Sequence, residues 1–90
     1  MLRILRTGQF KKDLKRGSKQ QRNLDELKRV LEKLQRKEQL DPKHRDHPLS
    51  QNWRGFRDCH IEPDWVLIYQ ITEDELRLIR IGSHSELFKK

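Results

Sequence analysis

The chain has 90 residues, of which 32% are hydrophobic and 39% are charged, and its formal net charge is +7. This length predicts one domain, residues 1–90, with a small core. The single cysteine, Cys59, excludes an intrachain disulfide, and no apolar run suits a secretion signal or a membrane-spanning helix. We therefore expect a cytoplasmic protein that has no membrane partner.

The positive charge is concentrated in the first half of the chain, since residues 1–40 have a net charge of +8 and residues 41–90 of −1. Such a surplus favours nucleic acid, an anionic membrane or an acidic protein as a partner, although it would also serve solubility alone. The terminal Lys89 and Lys90 fit either phosphate contacts or a solvated tail.

The first half predicts a short strand followed by two helices. Residues 2–6 are compatible with a strand, and Thr7 is a suitable N-cap for a helix that begins near Gly8 and stops around Gly17. A second helix is predicted from about residue 20 to residue 38. Its leucines fall at helical spacing, at Leu24, Leu27, Leu31 and Leu34. We expect the two helices to lie antiparallel and to share one apolar stripe.

The second half predicts a loop and then an antiparallel sheet. Asp41-Pro42 ends the helical region, and residues 41–52 are expected to form a loop. Strands are predicted at 54–60, 65–71 and 76–81, with turns at 62–64 and 72–75 and a short helix at 83–88. The predicted fold is α+β, with two N-terminal helices packed on one face of a small, mostly antiparallel β-sheet.

Tight turns at both hairpins would assign the faces of the strands. Pairing Ile71 with Leu76, and His60 with Trp65, places His60, Trp65 and Arg80 on the face away from the helices. The residues assigned to the helix face are Cys59, Val66, Ile68, Ile79 and Ile81. A slip of one residue would reverse this assignment.

Residues 47–65 contain two histidines, two tryptophans and several carboxylates, and Arg80 and His84 follow. RNA is cut without a metal when a base deprotonates the 2′-hydroxyl, an acid protonates the leaving 5′-oxygen and a cation stabilises the phosphorus. Histidine fits both proton roles because its pKa lies near neutral pH. We therefore predict proton transfer by His47, His60 and His84, with Arg80 as the phosphate clamp.

Each of these residues also has a plainer interpretation. A single histidine is more often a solvated or hydrogen-bonded loop residue, and His44 is assigned to a surface loop. Asp64 fits its tight turn, but it could also orient a histidine or act as a base. Trp53, Trp65 and Tyr69 could stack on bases or pack in the core. The histidines could also bind a metal, although their spacing matches no standard zinc pattern.

The chain carries a distinctive series of segments, 46–49, 53–60, 62–69 and 80–84, followed by Leu87-Phe88. Together with the predicted order of elements, they resemble the RelE/ParE superfamily of bacterial toxins, and within it the YafQ-type mRNA interferases. The resemblance implies a RelE-like fold and four catalytic residues: His47, His60, Asp64 and His84. It also implies that Arg80 contacts the scissile phosphate and that Phe88 helps to position the mRNA. We expect specificity for the A-site codon to be helped by stacking on Trp65 or Phe88.

The resemblance further implies the chemistry and the partners. His84 would be the general acid, and the other three catalytic residues would act as base and orienting groups, with no cofactor and no metal. The partners would be a cognate antitoxin and the 70S ribosome with mRNA in its A site, and cleavage would leave a 2′,3′-cyclic phosphate. The alternative is a non-enzymatic, ParE-like toxin that binds gyrase or the ribosome, which would not need three histidines.

Overall fold

The computed structural model describes residues 1–88. Its helices are α1 (Gly8–Lys19), α2 (Leu24–Gln35) and α3 (His84–Leu87), and 3₁₀ turns form at Pro42–His44 and Gln51–Trp53. Its strands are β1 (Arg3–Arg6), β2 (His47–Pro48), β3 (Arg57–Glu62), β4 (Trp65–Ile71) and β5 (Glu75–Gly82). The predicted α+β class is confirmed. Lys89 and Lys90, which fit either phosphate contacts or a solvated tail, lie outside the described residues.

Side-chain caps determine where the two long helices begin. Thr7 Oγ1 accepts a hydrogen bond from the Phe10 backbone N–H at 2.9 Å, so the predicted cap is confirmed. Asn23 Oδ1 accepts one from the Glu26 N–H at 3.0 Å, which starts α2 at Leu24 rather than near residue 20. None of the helices within residues 1–88 is both long and apolar enough to cross a membrane.

The five strands form one sheet in the order β1-β5-β4-β3-β2. β1 runs parallel to β5, and the other neighbours are antiparallel. β2, an edge strand of two residues, lies inside the segment that was predicted to be a loop. It pairs with the start of β3 and thereby brings the loop residue His47 to the sheet.

Two irregularities shift the strand registers by one residue. The predicted face assignment is therefore wrong for Trp65, Val66, Ile68 and Ile79, but it is correct for Cys59, His60 and Ile81. Ile71 pairs with Leu76 as predicted, but an irregularity after Ile68 pairs Leu67 with Ile81. At the other hairpin His60 pairs with Val66 rather than Trp65, and Trp65 pairs with Glu62. The core on the helix side therefore contains Cys59, Trp65, Leu67, Tyr69 and Ile81, together with Phe10 and Val30 from the helices. Val66 and Ile68 pack with Leu87 of α3 on the opposite face.

Trp65 lies in the helix-side core, where it is only 1% exposed. α1 approaches it so closely that a Cβ on Gly17 would stand 2.7 Å from Trp65 Cζ2, which explains a glycine at this helical position. Because its ring is enclosed, Trp65 cannot stack on RNA, and that prediction is wrong. Tyr69 is likewise 1% exposed, so it too belongs to the core.

Candidate active site

Three imidazoles meet on the sheet face away from the long helices. The ring centroids of His60 and His84 are 5.1 Å apart. His47 Nε2 lies 2.8 Å from Asp58 Oδ1, and one side-chain atom from each of His47, Asp58 and His60 lies within 4.8 Å of the others. The structure thus brings together the three predicted histidines, which come from β2, β3 and the first residue of α3.

Local structure explains why His84 lies at this position. Ser83 caps α3 by accepting a hydrogen bond from the Glu86 N–H at 3.2 Å, while Glu86 accepts one from the Ser83 N–H at 2.8 Å. This reciprocal cap turns the chain directly after β5. His84 therefore begins α3 with about half of its side chain exposed to solvent.

Asp64 fixes the orientation of His84. One carboxylate oxygen, Oδ1, accepts hydrogen bonds from the His84 backbone N–H at 3.0 Å and from His84 Nδ1 at 2.9 Å. These hydrogen bonds, the one from the backbone being the stronger influence, hold the pKa of Asp64 below its usual value. Because a carboxylate only accepts, Nδ1 must carry hydrogen, which leaves Nε2 of His84 as the nitrogen that can transfer a proton.

Asp58 is a buried member of the cluster that the sequence did not single out. It is 4% exposed, and no hydrogen bond from a described residue reaches its Oδ1. His47 Nε2 stands at ion-pair distance from this oxygen without hydrogen-bond alignment. Burial raises the pKa of Asp58, against the opposing effect of the three nearby imidazoles. Asp58 is therefore a buried carboxylate within ion-pair distance of His47.

Substituting Asp58 by asparagine should stabilise the fold near neutral pH by about 0.5–2 kcal/mol while lowering activity. The pKa of Asp58 is raised in the folded protein above its ordinary value of 3.8, so its contribution to stability is greatest below that pH and is lost as the pH rises. Asparagine stays neutral and avoids this loss. Urea unfolding at pH 4 and pH 7 measures the effect, and a variant that is less stable at pH 7 would contradict it.

Arg80, the predicted phosphate clamp, pairs with Ile68 in the sheet, and its described side-chain hydrogen bonds are made to α1. Its Nε and Nη2 each donate to the buried Asp13 of α1 at 3.0 Å. Asp13 also accepts from the Ile81 N–H at 3.2 Å and lies 3.3 Å from Arg16 Nη2. Two of the three guanidinium nitrogens of Arg80 are thus in use, and no described contact joins it to the imidazoles. Its contact with phosphate stays a prediction.

His44 is a buried residue rather than the surface-loop residue that was predicted. It is 6% exposed, and its Nδ1 lies 2.7 Å from the backbone oxygen of His60. No sequence pattern indicates this burial, because residues 41–46, which surround His44, are polar apart from Pro42.

Two grooves border the cluster. One, of about 470 Å³, is lined by His60 together with His44, Arg45 and Glu62. The other, of about 430 Å³, is lined by residues 49–53 and by Leu87 and Phe88. Aromatic side chains connect the second groove to the cluster.

Phe88 lies between the histidines and the second groove. Its ring centroid is 6.3 Å from that of His84 and 6.4 Å from that of Trp53, and its side chain is half-buried. Partly exposed aromatic rings next to a cluster of titratable groups are suited to stacking on nucleic-acid bases. The location of Phe88 is therefore compatible with its predicted contact with mRNA.

Comparison with known proteins identifies relatives along nearly the whole chain. The mRNA interferase toxin YafQ of Escherichia coli BL21-DE3 is 42% identical over 83 residues, which cover 91% of this chain and 90% of the relative. A copper-bound mutant toxin from Helicobacter pylori has 43% identity and a TM-score of 0.94, with 98% of this chain and 100% of that chain covered. A chain of the E. coli DinJ-YafQ complex has 40% identity and a TM-score of 0.89, and the match covers 98% of this chain and 99% of that chain.

The family model that describes the YafQ bacterial toxins of type II toxin–antitoxin systems matches residues 2–89. Identity above 40% across nine-tenths of the chain agrees with that match. The chain belongs to the YafQ family of type II toxins.

Proposed function

We propose that the chain is the toxin of a type II toxin–antitoxin pair and an endoribonuclease that cleaves translated mRNA in the ribosomal A site by metal-independent acid–base catalysis. The observation that carries this proposal is the cluster of His47, His60 and His84, in which Asp64 orients His84. The name of the E. coli relative, an mRNA interferase toxin, supports the class of reaction.

In the proposed reaction the 2′-hydroxyl oxygen attacks the adjacent phosphorus, and the bond from phosphorus to the 5′-oxygen breaks. His84 Nε2 gives its proton to the departing 5′-oxygen, while the Asp64 carboxylate stabilises the imidazolium before transfer. His60 or the His47–Asp58 pair takes the proton of the 2′-hydroxyl. The products are a 2′,3′-cyclic phosphate and a 5′-hydroxyl, so atoms and protons balance without water or a metal.

The RNA would be held by charge and by stacking. Phe88 would stack on a base beside the scissile bond, and Nη1 of Arg80 would be free to meet a phosphate. The basic N-terminal half would contact ribosomal RNA phosphates, so binding should weaken steeply as salt is raised. Because the proposed substrate is mRNA on the ribosome, the proposed place of action is the cytoplasm, and a single toxin domain, residues 1–90, would carry it out.

A cognate antitoxin is the second proposed partner. The E. coli relative is seen in complex with DinJ, and its chain matches 98% of this one. We propose that a DinJ-like protein neutralises this toxin by binding it. A ParE-like binder remains the rival function, and it predicts that changing the histidines leaves toxicity intact.

Mapping the 5′ ends of mRNA in a translating extract, with and without the toxin, tests the proposed function. We expect new ends at a fixed position within codons, and we expect them to disappear when initiation is blocked. Breaks that ignore the reading frame would argue against A-site cleavage. Toxicity without any new ends would support the ParE-like alternative.

Metal binding is a second property that the cluster could support. His47, Asp58 and His60 offer two imidazoles and a carboxylate, donor types that suit copper or zinc, and the H. pylori relative is copper-bound. In the proposed reaction such an ion would occupy the nitrogen lone pairs that must accept protons. We therefore propose that a copper or zinc ion at this position inhibits cleavage.

Adding Zn²⁺ or Cu²⁺ in slight excess over the toxin should lower the rate of mRNA cleavage at least about tenfold, since proton transfer by a single group contributes about 10²–10⁴. Treating the purified toxin with a chelator, followed by its removal, should leave cleavage unchanged, because no step uses a metal. Because ribosomes need Mg²⁺, only the purified toxin is treated with the chelator, before it is mixed with the ribosomes. Loss of cleavage after chelation, with recovery on adding zinc, would establish a metalloenzyme instead.

A further inference from the structure

We propose that His44 is a positioning residue that holds His60 and His47 in their catalytic arrangement; this rests on the proposed function. Its Nδ1 donates to the His60 backbone oxygen at 2.7 Å, because a carbonyl oxygen can only accept. The His44 imidazole therefore contacts the backbone of His60, and His44 lies three residues before His47 in the chain.

The contact is made where β3 has no strand neighbour on its outer side within residues 1–88. β2 pairs only with Arg57 and Asp58, and the register of β3 is irregular between His60 and Glu62. Beyond Asp58 the 3₁₀ turn Pro42–His44 covers this edge, and the His44 side chain supplies a donor there. A part-buried backbone carbonyl that loses its donor is destabilised, so this hydrogen bond stabilises the local course of β3.

The other side of the His44 ring is anchored to α2. Nε2 lies 3.2 Å from Glu26 Oε2, and Glu26 also pairs with Arg29 Nη1 at 3.0 Å and with Lys43 Nζ at 3.6 Å. Partial burial acts to raise the pKa of Glu26, but the neighbouring cations lower it overall. A charged carboxylate thus faces Nε2, and the ring joins α2 to β3 in one orientation when both of its nitrogens carry hydrogen.

The segment that leads to His47 is fixed at its other end by Asp46. Asp46 Oδ1 accepts from the Tyr69 hydroxyl at 2.6 Å and from Arg57 Nε at 3.2 Å. Between these two anchors Arg45 has a φ of 47°, in the left-handed region that turns the chain sharply. His44 and Asp46 together set where β2 begins, and hence where His47 meets Asp58.

Loss of the His44 contact should displace His60 and His47 rather than weaken RNA binding. Misplacing a catalytic group by about 1 Å can cost about 10² in rate. We expect His44→Ala to lower kcat by about 10–100-fold and to change KM less than threefold. His44→Gln keeps an N–H donor for the carbonyl but cannot also reach Glu26, and it should lie between the wild type and His44→Ala.

Two measurements on each variant test this inference. Cleavage of mRNA on programmed ribosomes gives kcat and KM, and long-range ¹H–¹⁵N NMR spectra of the free toxin report the imidazole signals of His47 and His60. Both signals should move in His44→Ala and in Glu26→Gln. Glu38→Gln is the matched control, because Glu38 is half-exposed and pairs with Arg36 on the surface; it should leave kcat and the spectra unchanged.

Wild-type kcat with unshifted His47 and His60 signals in His44→Ala would overturn the inference. If His44→Ala does not fold, His44→Gln decides: a folded variant with wild-type kcat would overturn it, and a reduced kcat with shifted signals would support it. The NMR measurement needs no activity. An inactive wild-type toxin whose signals still respond to His44 would therefore refute the proposed function alone.

Discussion

Replacing His84 by alanine should lower the rate of mRNA cleavage by about 10²–10⁴ and leave the fold intact. His84 is about half exposed and begins a helix whose reciprocal cap belongs to Ser83 and Glu86, so truncating the imidazole creates no buried cavity. Asp64 leaves only Nε2 of His84 for proton transfer, and no other described histidine has a carboxylate hydrogen-bonded to its Nδ1. Single-turnover cleavage on the ribosome measures the rate, and thermal unfolding checks the fold.

Asp64→Asn provides the matched comparison for His84. It should reduce cleavage less than His84→Ala, because an amide can still accept a hydrogen bond from Nδ1 but does not stabilise an imidazolium. The double variant should be no slower than His84→Ala alone, since Asp64 acts through His84. Undiminished cleavage by His84→Ala, or additive losses in the double variant, would reject His84 as the acid.

Replacing Asp13 by alanine should destabilise the protein by about 3–5 kcal/mol, the typical cost of breaking a buried ion pair from one side. The Asp13 side chain has no exposed surface, and it accepts from Arg80, from Gln9 and from the Ile81 N–H. Its loss leaves the Arg80 guanidinium half-buried without its partner. Because small domains have about 5–15 kcal/mol of stability, the variant should unfold well below the melting temperature of the wild type.

The pH dependence gives this prediction a second test. Burial acts to raise the pKa of Asp13, but its hydrogen bonds with Arg80, Gln9 and Ile81 lower it overall from 3.8. Its stabilisation is therefore present above the ordinary pKa and is lost as the pH falls through the lowered one. The gap between wild type and Asp13→Ala should narrow below about pH 4. Asp74→Ala, which removes an exposed ion pair with Arg3, should cost less than about 1 kcal/mol.

Asp13 also connects stability to the candidate site. Arg16 contacts both Asp13 and Glu86, at 3.3 Å and 3.2 Å, and Glu86 accepts from the N–H of Ser83. A chain of charged contacts thus runs from α1 to the cap that starts α3. Arg80, which the sequence suggests as a phosphate clamp, belongs to this structural network through its two hydrogen bonds to Asp13.

Patterned apolar residues made most of the fold predictable. Leucine spacing predicted α2, and the β-branched and aromatic run at 65–71 predicted β4 with the bounds that the structure has. The face assignment failed for β4 and for Ile79 because a single extra residue in a bulge reverses the alternation, and no residue type marks the irregularities after His60 and Ile68. β2 was missed because two residues are too few to show any pattern.

The three histidines could be selected from sequence because histidine transfers protons near neutral pH and the chain contains only four histidines. The buried polar residues around them could not. Asp13, His44 and Asp58 are of polar residue types that usually lie on the surface. Only the packing of α1, the 3₁₀ turn and β2 encloses them. Their burial depends on contacts between distant segments, which single-sequence patterns do not contain.

The chemical nature of the cleaved RNA ends tests the central claim most directly. The toxin, treated with a chelator and then freed of it, is added to ribosomes carrying a defined mRNA, and the upstream fragment is analysed by mass spectrometry. Acid–base catalysis by His84 and its partners predicts a 2′,3′-cyclic phosphate on that fragment and a 5′-hydroxyl on the other, both absent with His84→Ala. A 3′-hydroxyl paired with a 5′-phosphate would contradict the account, because it requires attack by water rather than by the 2′-hydroxyl.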